Sequence, residues 1–155
     1  MSEIFTIACK NVAVSALQDI LSAKAASTKK LELLAVEMNA NGQTTVGNYP
    51  IRIRYLPATV TAGSGGGSVS GNNVNSDGAS ASFTARANDT TQSSSSGTAV
   101  DIVDTQFNPI NGYYWEPPAR GEPPKADLNA QFVLSLDANP AATINVSATM
   151  WLKES

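Results

Sequence analysis

The sequence predicts an all-β protein: an antiparallel β-sandwich, jelly-roll-like, with long Gly/Ser-rich loops. Three observations predict it. Apolar residues recur with period two in run after run, the signature of strands half-buried on a sheet. Gly, Pro and Asn punctuate those runs at short intervals, as turns do. No segment holds helical spacing long enough for a convincing helix. Short strands with frequent turn residues read as a sandwich or barrel, and 155 residues suit one domain spanning 1–155.

Taken in order, Phe5, Ile7 and Cys9 alternate with Thr6 and Ala8, and Val12 and Val14 continue the first strand after Asn11. The segment Ser15 to Ser27 is ambiguous, because Leu17, Ile20, Leu21 and Lys24 have helical spacing. A strand is favoured there, since it pairs readily with the next run across a polar turn at Ser27 to Lys30. That next run has Leu31 and Leu33, then Leu34, Val36 and Met38 alternating with Ala35 and Glu37. A short, charge-poor turn spans Asn39 to Tyr49. Ile51, Ile53 and Tyr55 then alternate with Arg52 and Arg54, and Phe132, Leu134 and Leu136 with Val133 and Ser135. The clearest alternation closes the chain: Ile144, Val146, Ala148, Met150 and Leu152 point one way, and Asn145, Ser147, Thr149 and Trp151 the other. The stretch Thr61 to Ala99 differs. It holds seven glycines and the run Ser93 to Ser96, with only Val69, Val74 and Phe83 as large apolar residues. Lying between core strands, it reads as one or two long excursions around a short strand near Ser80 to Ala87. Loops of that length inside a domain are usually functional or ordered by a partner.

Composition narrows the function classes. Charged residues make up 15% of the chain, against about 25% in ordinary globular domains. A net charge of −3 with scattered Lys and Arg argues against nucleic-acid binding, which draws its affinity from clustered cations on phosphates. No stretch approaches the ~20 apolar residues of a membrane-spanning helix. The start MSEIFTIACKNVAVSALQDIL lacks the basic opening and apolar run of a secretory signal, so synthesis in a cytoplasm is expected. The single cysteine, Cys9, fits a small buried hydrophobe.

The chain contains no histidine. That removes the commonest general base and metal ligand, and with it Ser–His–Asp and Cys–His catalysis within the chain. One cysteine and no histidine make no structural zinc site. The glycines around Gly65 match neither a P-loop nor a dinucleotide fingerprint. Asp101 and Asp104 flank Ile102-Val103, with Glu116, Glu122 and Asp127 nearby in sequence. Paired carboxylates across a cleft are what a glycosidase needs, but Asp near strand ends is chiefly a turn former. No catalytic, cofactor-binding or metal-binding residue is therefore assigned, and no cofactor is expected.

The run Tyr113-Tyr114-Trp115-Glu116-Pro117-Pro118 is the most informative patch. In a strand, Tyr113 and Trp115 face one way and Tyr114 the other. One side must leave the core unless both faces are covered. Tyr and Trp supply large, stiff contact area and concentrate at interface hot spots. Pro117 and Pro118 open a stiff stretch, reaching Pro124, that suits a rigid arm. Trp151 raises the same question, since it lies opposite the Ile144–Leu152 face. The candidate contact residues are thus Tyr113, Tyr114, Trp115, Pro117, Pro118 and Trp151.

The segments EIFTIACKNVAVSALQDIL, IRIRYLPATVTAGSGGGS, SASFTARANDTT, GYYWEPP and VSATMWLKE, in this order, resemble a group of small proteins found among tailed-bacteriophage structural genes. The order of segments carries the resemblance. It implies a virion protein, most naturally a capsid decoration or cement protein that binds the head as a homotrimer and contacts the major capsid protein or other virion proteins. It implies no active site. The other class consistent with the residues is the receptor- or glycan-binding head of a tail fibre or spike.

Overall fold

A computed structural model describes residues 3–42 and 47–155, and among these no helix occurs. The described residues form fourteen strands: β1 (Glu3–Val14), β2 (Gln18–Lys24), β3 (Leu31–Ala40), β4 (Tyr49–Leu56), β5 (Val60–Thr61), β6 (Gly67–Val69), β7 (Asn72–Asn73), β8 (Thr84–Asp89), β9 (Ser94–Ser95), β10 (Val100–Phe107), β11 (Tyr113–Trp115), β12 (Lys125–Ala126), β13 (Gln131–Leu136) and β14 (Ile144–Glu154). The ambiguous segment after Ser15 is the strand β2. The turn expected between Asn39 and Tyr49 lies partly outside the described residues.

Two antiparallel sheets make the sandwich. The first has the order β11-β3-β14-β1-β7, with β12 also on β3; the second has the order β10-β4-β13-β2-β8-β6. A two-stranded ribbon, β5-β9, stands apart. The core lies between the sheets, where one face of each strand is apolar. Phe5, Ile7, Leu33, Met38, Met150 and Leu152 from the first sheet meet Leu21, Ile51, Ile53, Phe132 and Leu134 from the second, all fully buried. Phe5 and Phe83 pack edge to face, 5.5 Å between ring centres. Burying each such large side chain contributes about 1.5–3 kcal/mol.

The alternation breaks phase in several strands, and each break is a β-bulge. In β1 the inward set shifts from Phe5, Ile7 and Cys9 to Val12 and Val14, and the register with β14 jumps between Cys9 and Val12. Asn11 takes φ of 54° there, a conformation Asn tolerates, and its N–H donates to Ser147 Oγ at 3.0 Å. In β3 the phase changes from Leu31 and Leu33 to Val36 and Met38, and Leu34 is the extra residue opposite Trp151 and Leu152. Leu34 was expected to point inward with Val36 and Met38; the bulge turns it to the outer face instead. A third bulge in β10 leaves Ile102 without a direct partner.

The two outer faces differ. That of the second sheet is covered by the chain's own Gly/Ser-rich excursion. Consequently β13 is buried along its whole length and β2 along all but Lys24. Leu56, Val60 and Val133 form a small apolar cluster under this cover. Among the described residues, the outer face of the first sheet has no such cover.

Candidate functional site

The covered face is held by polar groups. Asp19, on β2, is 1% exposed; it accepts from Ser93 N at 2.7 Å and pairs with Arg54 at 3.3 Å. Ser93 Oγ in turn accepts from Gly63 N and from Gln131 Nε2, both at 3.0 Å. Asp89 sits opposite Asp19 across β2 and β8. It accepts two bonds from Arg86, at 2.7 and 2.9 Å, and one from Gly66 N at 3.1 Å. Arg52 pairs with Asp137, which also accepts from Gln92 and Ser135. These bonds stitch the loops at 63–66 and 89–93 to the sheet. Burial pushes the Asp19 carboxyl above its ordinary value despite Ser93 and Arg54, and the charge of Asp89 adds to the rise. Burial acts the same way on Asp137, but bonds from Arg52, Gln92 and Ser135 and the charge of Arg52 outweigh it and hold that group low. The network is an internal clamp, closed off by its own loops.

The uncovered face presents a different surface. On β14, Trp151 lies between Ala35 of β3 and Thr6 of β1. On β11, Tyr114 lies opposite Glu37 of β3. With Ile4 and the bulged Leu34, these residues line a shallow groove of about 290 Å³. Tyr114 is 59% exposed and Ile4 40%. Polar groups ring the groove: Tyr114 Oη donates to Glu116 at 3.1 Å, Asn39 donates to Glu37 at 2.7 Å, and Lys153 pairs with Glu32 at 3.0 Å. The bond to Glu116, then desolvation and the charges of Glu116 and Glu37, raise the Tyr114 phenol above its ordinary value. An apolar centre within a polar rim is the anatomy of a protein–protein contact. Two larger hollows, of about 430 and 420 Å³, lie around Gly71, lined mainly by small residues, and around Lys24, lined by Ala58, Val60 and Leu128 beside Thr59 and Asn129.

Of the six expected contact residues, Tyr114 and Trp151 come together in this groove. Tyr113 and Trp115 turn the other way and pack against the core, half-buried, and burial raises the Tyr113 phenol. Pro117 is half-buried and Pro118 exposed, in the connection between β11 and β12 on the side of β3 away from β14. Sequence reasoning missed Ile4 and Leu34. Ile4 is out of phase with Phe5 and Ile7, which marks it as outward-facing in the sequence, whereas Leu34 reaches the outer face only through the bulge between Leu33 and Ala35.

Of the acidic residues noted in the sequence, Asp101 and Asp104 share one face of the edge strand β10, and the others are engaged elsewhere. Asp101 pairs with Arg52 at 3.6 Å, Glu122 with Lys125 at 3.0 Å and Asp127 with Lys30 at 2.7 Å, while Glu116 serves Tyr114. Among the described residues no group of three or more His, Cys, Asp or Glu is placed to hold a metal ion, and no helix is long and apolar enough to cross a membrane. Cys9 is a core residue whose thiol burial pushes up. Comparison with protein-family models, with curated proteins and with solved structures finds no match to this chain.

Proposed function

We propose that this chain is a non-enzymatic virion structural protein, a decoration or cement protein that stabilises a phage head by binding the capsid surface as a homotrimer. The observation that carries the reading is the asymmetry of the outer faces: one is sealed by the chain's own loops, the other offers Ile4, Leu34, Tyr114 and Trp151 to solvent. Exposed aromatic surface ringed by polar groups is what subunit contacts use. Burial of this groove against sister copies is the proposed trimer contact, leaving other surfaces for the major capsid protein or other virion proteins. Two further points support the reading. Taking the principal strands, β1-β14-β3-β11 and β2-β13-β4-β10 form a pair of sheets whose order is that of two interlocked Greek keys, and we infer a jelly roll, with β5 to β9 as an insertion. Jelly rolls recur in viral capsid proteins and in lectins, a fold-level analogy only. The resemblance of the ordered sequence segments to tailed-phage structural proteins points the same way.

A second reading rests on the same aromatic pair. Tyr114 and Trp151 flanked by Glu37, Glu116 and Asn39 also suit a glycan, which stacks on rings and bonds to carboxylates and amides; the chain is then a receptor-binding head on a tail fibre or spike. Imaging of purified particles, with the protein's position located by labelling, tests the proposal. Trimeric density on the head supports decoration. Density at the tail tip supports the glycan reading, and particles that lack the protein contradict both.

A further inference from the structure

The sheets leave four edges, three of them short, interrupted or flanked by proline; β7 pairs only Phe5 and Thr6 of β1, and the rest of β1 on that side is broken by the bulge between Cys9 and Val12. The first sheet ends at β7, two residues long, and on the other side at β11 and β12, with Pro117, Pro118, Pro123 and Pro124 between them. Proline has no N–H to offer an incoming strand, and Leu33 already donates to the carbonyl of Pro124 at 2.9 Å. The second sheet ends at β6, three residues long, and at β10, eight residues long. Among the described residues, Val100–Phe107 makes its backbone ladder with β4 alone. On the side away from β4, every second peptide group of β10 is therefore without a backbone partner among the described residues.

The side chains of β10 say which strand fits. In a regular strand, residues three apart point to opposite faces. Here the bulge at Ile102 brings Asp101 and Asp104 to the same face, opposite Arg54 and Arg52 of β4. Arg52 turns to Asp137 and Asp101, and Asp104 forms no ion pair among the described residues. On the other face Val100 is 50% exposed, and Ile102 and Val103 are partly buried at the rim of the core. A second copy of β10 laid alongside sets aspartates near aspartates, which is unfavourable. The same acids attract a strand with cations on one face and apolar residues on the other.

We propose that β10 is a docking edge for an extended segment of another protein in which Lys or Arg alternates with aliphatic residues, added as one more strand to the second sheet. Backbone bonds supply the attachment, the aspartates select the basic face, and the aliphatic residues cover Val100. This edge belongs to the sheet opposite the aromatic groove, so the two proposals fail independently. The test uses the whole protein and a capped Lys-Val-Lys-Val-Lys-Val peptide, followed by NMR. The expected result is saturable shifts centred on Val100–Phe107, with slowed amide exchange at alternate residues there. Asp104→Lys is expected to weaken this peptide roughly tenfold and to improve binding of the Glu-Val counterpart. Equal binding of a Lys-Pro-Lys-Pro-Lys-Pro peptide, which lacks half the donors, reduces the effect to charge alone and overturns the proposal. Absence of saturable binding, or shifts centred elsewhere, overturns it as well.

Discussion

Replacing Glu154 with alanine is predicted to be among the most damaging single changes outside the apolar core. Glu154 closes β14 and is 2% exposed. Its carboxylate accepts from Ser82 N and Phe83 N at 3.1 Å each and from Ser82 Oγ at 3.2 Å, and it pairs with Lys29 at 2.9 Å. It thereby anchors the chain entering β8 to the far end of the other sheet, beside the Phe5–Phe83 contact. Hydrogen bonds to a charged group contribute about 1.5–3 kcal/mol each, and they do not simply add. Truncation also strands the buried Phe83 N–H. For Glu154→Ala a loss of about 3 kcal/mol is expected. Glu154→Gln keeps the shape but presents an NH₂ where an acceptor is needed, so about half that loss follows. Lys29 is 39% exposed whereas Glu154 is buried, and the carboxylate keeps its three bonds from Ser82 and Phe83 without it, so Lys29→Ala is expected to cost clearly less than Glu154→Ala, about 1 kcal/mol. Urea unfolding followed by the fluorescence of Trp115 and Trp151, with a common m-value, measures the series. The reasoning is refuted if Lys29→Ala costs as much as Glu154→Ala, or if Glu154→Ala costs less than about 0.5 kcal/mol.

Other outcomes follow from the covered face. Asp137 is held below its ordinary value when folded, so its contribution is present above about pH 4 and is lost as pH falls through the folded value. Asp19 is raised and has the opposite sign: its charge disfavours folding above the folded value, and the penalty lifts on acidification. Stability measured against pH in Asp137→Asn should therefore lose part of the wild-type decline in acid, whereas Asp19→Asn should steepen it. A Cβ on Gly66 meets the Ala87 carbonyl at 2.0 Å, whereas one on Gly67 meets nothing within 4 Å. Gly66→Ala should lower stability by about 2 kcal/mol or more and Gly67→Ala by less than about 0.5, read from melting curves. The Cys9 thiol is buried and pushed up, so disulfide-exchange reagents at pH 8 should modify it only as fast as the protein opens. Rapid modification of the folded protein contradicts its placement in the core.

The sandwich was legible because its strands obey alternation over long runs, and even the failures of alternation carried information. The switches at Cys9/Val12 and Leu33/Leu34 are β-bulges rather than irregular sequence. The assignment of Leu34 to the core failed because period two assumes an unbroken pleat. The cover over the second sheet was not legible. Gln131, Val133 and Ser135 look like a solvent face, yet they are buried under a loop that has almost no apolar pattern of its own. That loop is held by bonds such as Ser93 to Asp19, between residues 74 apart, and composition does not encode such pairings. The candidate site was half legible. Tyr114 and Trp151 stood out as aromatics on the wrong phase, but their convergence across β3 depends on strand order, and Tyr113 and Trp115 drew attention through residue type while serving the core.

Assembly through the uncovered face of the first sheet is the central claim, and sedimentation equilibrium over a wide concentration range tests it most directly. The account predicts a trimer of the 16.1 kDa chain, and a folded monomer once Tyr114→Glu and Trp151→Glu place carboxylates in the groove beside Glu37. A wild-type protein that stays monomeric at every concentration, or a trimer indifferent to both substitutions, contradicts it.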